Sequence, residues 1–173
     1  MKFGTVVKND VMKLVVELEN KLIDLEETAK MNNWNEVFRD VMEVIELEDT
    51  RLKNLEMRLK EAVRNDSFLD IGSTDIIWGP CVTQPHKIIC VGLNYRKHAD
   101  ETNAPYPEVP ILFNKFDNTL TGHLCNIAIP AVTNALDYEV ELGIVIGKKT
   151  KNILNIPQIY FKKTSQFMNG LVF

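Results

Sequence analysis

Apolar residues at the start of the chain fit two different periods, and the turn residues decide between them. Val11, Val15, Leu18, Leu22 and Leu25 have the spacing of one amphipathic helix. Lys8-Asn9-Asp10 and Glu19-Asn20-Lys21 oppose that reading, because each supplies a short turn able to close a hairpin. Val15-Val16 also favours a strand. The pattern therefore predicts three short strands at about residues 2–7, 12–18 and 21–24. From Glu26 the period becomes helical. Asn33 can cap a helix running to about Leu47, with Trp34, Val37, Phe38, Val41 and Ile45 on one face. Asp49 or Thr50 can cap the next helix, whose stripe is Leu52, Leu55, Leu59 and Ala62 or Val63. Asn65-Asp66-Ser67 ends it. Such stripes form core far more often than cofactor contacts.

Phe68 to Pro85 reads as a connector, with Ile76-Ile77-Trp78 a strand entering a second domain. Beyond it the elements become short. Residues 87–93 form a strand ending near Gly92, and Arg96 to Glu101 a helical turn. Residues 103–110 are a proline-rich loop, and Ile111 to Lys115 another strand. Asn126 to Pro130 and residues 137–147 read as further strands. Many short strands between irregular loops point to a β-rich roll or barrel-like core. The expected fold class is α+β: a small mixed N-terminal domain followed by a partial β-rich roll.

Two places carry chemistry. In a strand, Asp137, Glu139 and Glu141 would share one face, where like charges repel. A hard divalent cation would relieve that repulsion, and carboxylate oxygens suit Mg²⁺, Mn²⁺ or Ca²⁺ better than zinc. A solvated acidic edge strand is the plainer alternative. His98 and Glu101 stand three apart, which on a helical turn places them side by side. The carboxylate could orient the imidazole, and the pair could take a proton from water. A surface contact is the plainer reading there too.

The order Gly92-x-Asn94-Tyr95-x-x-His98-x-x-Glu101, Phe113-x-Lys115, Thr121-Gly122-His123, Asp137-Tyr138-Glu139-x-Glu141-Leu142 and Ile146-Gly147-Lys148 resembles the fumarylacetoacetate hydrolase family over about residues 80–148. Residues 1–79 look like the variable N-terminal region of its bacterial members. The resemblance implies a metal-dependent hydrolase or lyase that acts on C–C bonds of diketo or 2-oxo acids. It implies Mg²⁺ or Mn²⁺ held by Glu139 and Glu141, and proton transfer by His98 and Glu101. It places Lys115, Tyr95 and His123 near the substrate, Lys115 as a partner for a substrate carboxylate. A homodimer is also implied. For Tyr95 and Asn94 the residues themselves suggest a further role, shaping the turn that presents His98.

The resemblance fades beyond Lys148. The family continues with a third metal-binding aspartate and a catalytic lysine, and the tail over residues 149–173 does not read like that continuation. The tail resembles a truncated or frame-shifted end. The alternative function is thus an inactive fragment or pseudo-enzyme that keeps dimerisation or binding roles. The expected domains are 1–79, 80–148 and a divergent basic tail, 149–173.

Composition narrows the choice further. The chain has 173 residues, enough for one domain or slightly more, and a formal net charge of -4, which argues against general nucleic-acid binding. From Leu142 onward there is no Asp or Glu, only Lys148, Lys149, Lys151, Lys162 and Lys163. Their spacing is irregular and lacks a stacking pattern, which disfavours a binding module built on that tail. No apolar run reaches membrane-spanning length, and Met1-Lys2-Phe3-Gly4-Thr5 opens no signal-peptide core. Cys81, Cys90 and Cys125 lack CxxC spacing and read as free thiols. The expectation is a cytoplasmic protein with a small-molecule substrate. An apolar Val140–Ile146 strand, if uncovered, would associate through its edge.

Overall fold

A computed structural model describes residues 1–72, 75–149, 151, 161 and 162. Most of the tail expected over residues 149–173 lies outside the described residues. Contacts divide the chain into two compact units, residues 1–83 with 121–173, and residues 84–120.

The first unit is organised by a meander. Strands β1 (Lys2–Lys8), β2 (Val11–Leu18) and β3 (Lys21–Asp24) pair antiparallel, with Phe3 opposite Val16 and Val16 opposite Ile23. Both connections are two-residue turns. Asn9 and Asp10 have φ of 51° and 60°, and Glu19 and Asn20 repeat those values. Positive φ at both central residues matches the right-handed twist of the flanking strands, and Asn and Asp tolerate it. The three expected strands are therefore present. The single-helix alternative fails because the sheet is buried on both faces. Val15 and Val16 point to opposite sides and both are fully buried.

Helices cover one face. They are α1 (Leu25–Met31), α2 (Val41–Ile45) and α3 (Asp49–Arg64). Phe3, Leu14, Val16 and Ile23 of the sheet form one core with Leu25, Val41, Ile45, Leu55 and Leu59. On the other face Val6, Val15 and Leu22 pack with Ile71, Ile76 and Trp78. The α3 stripe follows the sequence pattern, and Asn65 and Asp66 end that helix as expected.

The helix expected from Asn33 to Leu47 shrinks to α2 (Val41–Ile45), and α1 ends before Asn33. Asn33 lies at φ 51° and terminates α1 instead of starting a helix. Asn32 explains the stop: its amide nitrogen donates to Thr28 O at 2.8 Å and to Ser67 O at 2.6 Å, tying the ends of α1 and α3 together. The caps that start helices are Asp24, whose carboxylate accepts from Glu27 N, and Asp40, which accepts from Met42 N. Asp40 also accepts from the Thr83 hydroxyl at 2.7 Å.

Two short strands complete this sheet in the order β4-β3-β2-β1-β5. They are β4 (Leu69–Asp70) and β5 (Ile77–Trp78). Ile77-Trp78 was expected to enter a second domain. It pairs with Val6 and Val7 of β1, and Trp78 packs on the second face of the N-terminal core while Ile77 stays exposed.

The second unit is a hairpin, β6 (Ile88–Gly92) and β7 (Ile111–Lys115), with Cys90 opposite Phe113 and Gly92 opposite Ile111. Helix α4 (Arg96–Glu101) lies between the strands in sequence. A 3₁₀ turn at Asp117–Thr119 follows. The strand expected at 126–130 does not form. That expected at 137–147 shrinks to β8 (Val145–Ile146), paired with β9 (Phe161–Lys162). Among the described residues, no strand partners residues 137–144, and an isolated strand leaves its backbone groups to water. The observed fold is thus mixed α and β with antiparallel sheets.

Glu26 is the electrostatic knot of the first unit. Lys13 lies 2.9 Å from its carboxylate, Arg39 2.9 Å and Lys30 3.2 Å. Hydrogen bonds from Lys13 and then Arg39 hold its pKa down at about 2, below the ordinary 4.5. The carboxylate form is favoured by folding. This contribution is therefore complete above about pH 4.5 and is lost as the pH falls towards 2. Urea midpoints measured across that window should fall in the native chain and fall less in Glu26→Gln. Leu59 is fully buried between the helix layer and the sheet. Leu59→Ala should cost about 2–5 kcal/mol in urea unfolding, and a loss below 1 would contradict this packing.

Candidate functional site

In the second unit, β6 delivers the chain into a turn where Leu93, not Asn94, takes the left-handed backbone at φ 48°. The sequence assigned that tolerance to Asn94. A leucine there is uncommon, so the conformation is imposed by the strand before it and the helix after it. Tyr95 then starts α4, and its carbonyl accepts from His98 N at 3.1 Å and Ala99 N at 3.3 Å. Ala99 is fully buried, which fixes the rotation of the helix. His98 is half-buried and Glu101 exposed, three apart on α4. The Thr102 hydroxyl donates to His98 O at 2.9 Å and closes the helix end.

The proline-rich loop is pinned back onto this helix. The Tyr106 hydroxyl donates to Asp100 Oδ1 at 2.7 Å, and the Arg96 guanidinium lies 5.7 Å from the Tyr106 ring centroid. The hydrogen bond to Asp100 raises the Tyr106 pKa. The sequence pattern predicts an irregular loop over 103–110, and the structure adds this clasp. Its one legible signal is an aromatic residue five positions past a helix end that carries Arg and Asp. Lys115 closes β7, half-buried and opposite Ile88.

In the first unit, Thr121-Gly122-His123 forms a turn in which Gly122 is buried and His123 half-buried. Cys125 N donates to Gly122 O at 3.3 Å, and the Cys125 thiol lies 3.5 Å from Trp78 O. Asp137, Glu139 and Glu141 are exposed on a stretch that is not strand. The alternation of side chains that would align their carboxylates is therefore not imposed by a ladder. Downstream the chain is held. Val145 packs against the N-terminal core, and Lys148 Nζ lies 3.1 Å from Glu48 Oε2 at the start of α3.

The donor chemistry of Glu139 and Glu141 fits a hard divalent cation. The gathering does not yet make a full site: no group of three or more His, Cys, Asp or Glu is drawn together among the described residues. The cysteines form no alternative metal centre. All three are free, and burial pushes the Cys81 thiol up to about 11. No helix among the described residues is long and apolar enough to cross a membrane.

Comparison with known proteins bears directly on these residues. The family model described as fumarylacetoacetate (FAA) hydrolase C-terminal matches residues 87–160. A fumarylacetoacetate hydrolase domain-containing protein 2 homolog of Dictyostelium discoideum is 50% identical over 70 residues, 40% of this chain and 23% of that protein. The mitochondrial oxaloacetate tautomerase FAHD2A of Bos taurus is 47% identical over 72 residues, and its Homo sapiens counterpart 46%. Each of these two alignments covers 42% of this chain and 23% of the relative. The chain thus spans about a quarter of the length of these relatives. A crystal structure described as an HpcE protein of Mycobacterium smegmatis shares the fold, with TM-score 0.50 and 20% identity over 73% of this chain and 40% of that one. The segment 87–160, which carries every candidate residue named above, is similar to the fumarylacetoacetate hydrolase family.

Proposed function

We propose that this chain serves a divalent-metal-dependent enzyme of 2-oxo or 1,3-diketo acids, and that proton transfer at the carbon beside a 2-oxo group is its central step. One observation carries the reading. The family match over 87–160 contains His98, Glu101, Lys115, His123, Glu139 and Glu141 in order, and relatives at 46–47% identity over 72 residues are named oxaloacetate tautomerases. This moves the emphasis from C–C bond hydrolysis or decarboxylation towards tautomerisation. These reactions share an enolate, so the same groups can serve each of them.

Glu139 and Glu141 are the residues of this chain that would hold Mg²⁺ or Mn²⁺. Bound there, the ion would supply Lewis acidity to the substrate's carbonyl oxygens. His98 takes the proton from the substrate carbon as general base, and Glu101 orients the imidazole. In tautomerisation the same proton count is restored by protonation of the carbonyl oxygen, so no bond other than C–H and O–H changes. In hydrolysis the pair would act on water instead. Lys115 offers its ammonium to a substrate carboxylate. Tyr95 and His123 are assigned to substrate binding. The dyad belongs to one compact unit and the glutamates to the other. That they act on one substrate rests on the family match.

A second reading has its own support. Glu139 and Glu141 lie on an exposed stretch with no third ligand gathered among the described residues, as in an inactive member that retains binding.

Two measurements separate these readings. Calorimetric titration with Mn²⁺ should show weak binding that disappears in Glu139→Gln and in Glu141→Gln. Equal binding by the variants would remove the glutamates from the metal site. The enol absorbance of freshly dissolved oxaloacetate should decay faster with the protein and Mn²⁺ than with Mn²⁺ alone. In His98→Ala that acceleration should drop about 10²–10⁴-fold with Mn²⁺ affinity kept. Metal binding without any acceleration would establish the second reading.

A further inference from the structure

The segment bearing His123 is seated on the edge of the N-terminal sheet through two glycines. Gly79 follows β5, and its N–H donates to Thr5 O of β1 at 2.9 Å. A Cβ on Gly79 would stand 2.9 Å from Thr5 Cγ2, closer than side chains tolerate. The chain at 78–79 therefore lies directly against β1. Gly122 then lies against the chain at 78–79. A Cβ there would overlap the Trp78 carbonyl oxygen, stand 2.5 Å from the Trp78 carbonyl carbon, and 3.1 Å from Gly79 N. All of these are backbone atoms of a sheet edge, so no side-chain rotation can make room. Cys125 adds a thiol contact to the same Trp78 carbonyl. Trp78 is itself fixed, because its side chain packs on Val6, Val15 and Leu22.

We propose that Gly122 is the positioning residue of His123. The missing side chain lets the Thr121-Gly122-His123 turn seat on the Trp78–Gly79 backbone. The imidazole is thereby held at a fixed place relative to the N-terminal sheet. The N-terminal unit then acts as a part of the site, because its edge strand sets where a substrate-facing histidine stands. The meaning of that placement for catalysis rests on the reading of His123 given above; the placement itself does not.

The consequence is a substitution with a local and a spectroscopic effect. Gly122→Ala must lift the turn off the sheet edge by about an ångström or more, since a methyl needs more than 3 Å from backbone atoms. The imidazole C–H resonances of His123 should shift in Gly122→Ala, assigned by comparison with His123→Gln. Hydrogen exchange of the Gly79 amide should quicken at least about tenfold. The resonances of His98, in the other unit, should stay in place, and the amides of β2 should keep their protection. A folded Gly122→Ala protein with unmoved His123 resonances would overturn the proposal. A second measurement needs no variant. The unsubstituted chain should give a nuclear Overhauser contact between the Gly122 α-protons and the Gly79 amide proton. Its absence would overturn the proposal even if Gly122→Ala failed to fold. A third readout separates the two layers of the argument. If His123 moves in Gly122→Ala while the Michaelis constant for oxaloacetate is unchanged, the positioning stands and the substrate-binding role of His123 falls.

Discussion

The burial of a three-stranded meander on both faces is the constraint on which the rest of this structure depends. Val15 and Val16 are adjacent in sequence, point opposite ways and are both fully buried. A strand in that position must be covered twice, and the chain supplies two layers. Helices α1 to α3 bury Val16 and Ile23, and the return through Ile71, Ile76 and Trp78 covers Val15 and Leu22. Each fully buried aliphatic side chain contributes about 1.5–3 kcal/mol. Surface ion pairs such as Lys148 with Glu48 contribute about 0–1 kcal/mol each. Packing therefore sets the architecture, and the charges adjust it.

The same constraint reaches the candidate site. Once Trp78 is drawn into the second core, the backbone beside it becomes a fixed rail, and the Gly122 turn seats on that rail. Val145 joins the first core and gives the chain a fixed point four residues beyond Glu141. The stretch that carries Asp137, Glu139 and Glu141 lies between these two anchors. It is exposed and outside any strand, so no ladder aligns its carboxylates. In the second unit the logic is local. A hairpin, a left-handed Leu93 and a short helix buried at Ala99 present His98, and the Tyr106–Asp100 hydrogen bond fastens the loop that follows.

What the sequence made legible follows the range of the forces involved. The hairpin turns at Asn9-Asp10 and Glu19-Asn20, the α3 stripe, the Asn65-Asp66 stop and the β6 and β7 strands are all written in nearby residues. The helix stop at Asn32-Asn33 was misread, because its cause is a hydrogen bond from Asn32 to Ser67, 35 residues away. Ile76-Ile77-Trp78 was legible as a strand, but its pairing with β1 was not, since that depends on Trp78 packing on the second core face. The strands expected at 126–130 and over most of 137–147 have suitable side chains, yet a strand also needs a partner, and sequence pattern does not supply one. The family resemblance was legible as a series of spaced motifs, and the family match falls on the segment 87–160 that carries them. The close approach at Gly122 was not, because a glycine in a turn looks the same whether or not a backbone lies against it.

The central claim is that the N-terminal core holds the site-bearing segment that follows Leu120 within its own unit. Native-state hydrogen exchange tests it directly. The amides of Val16 in β2, Gly79 beside β5 and Cys125 in the Gly122 turn should all be protected, and Leu59→Ala should lower their protection by a common factor. Loss of protection at Val16 alone, with Gly79 and Cys125 exchanging at unchanged rates, would show that the segment is not held by the core and would contradict the account.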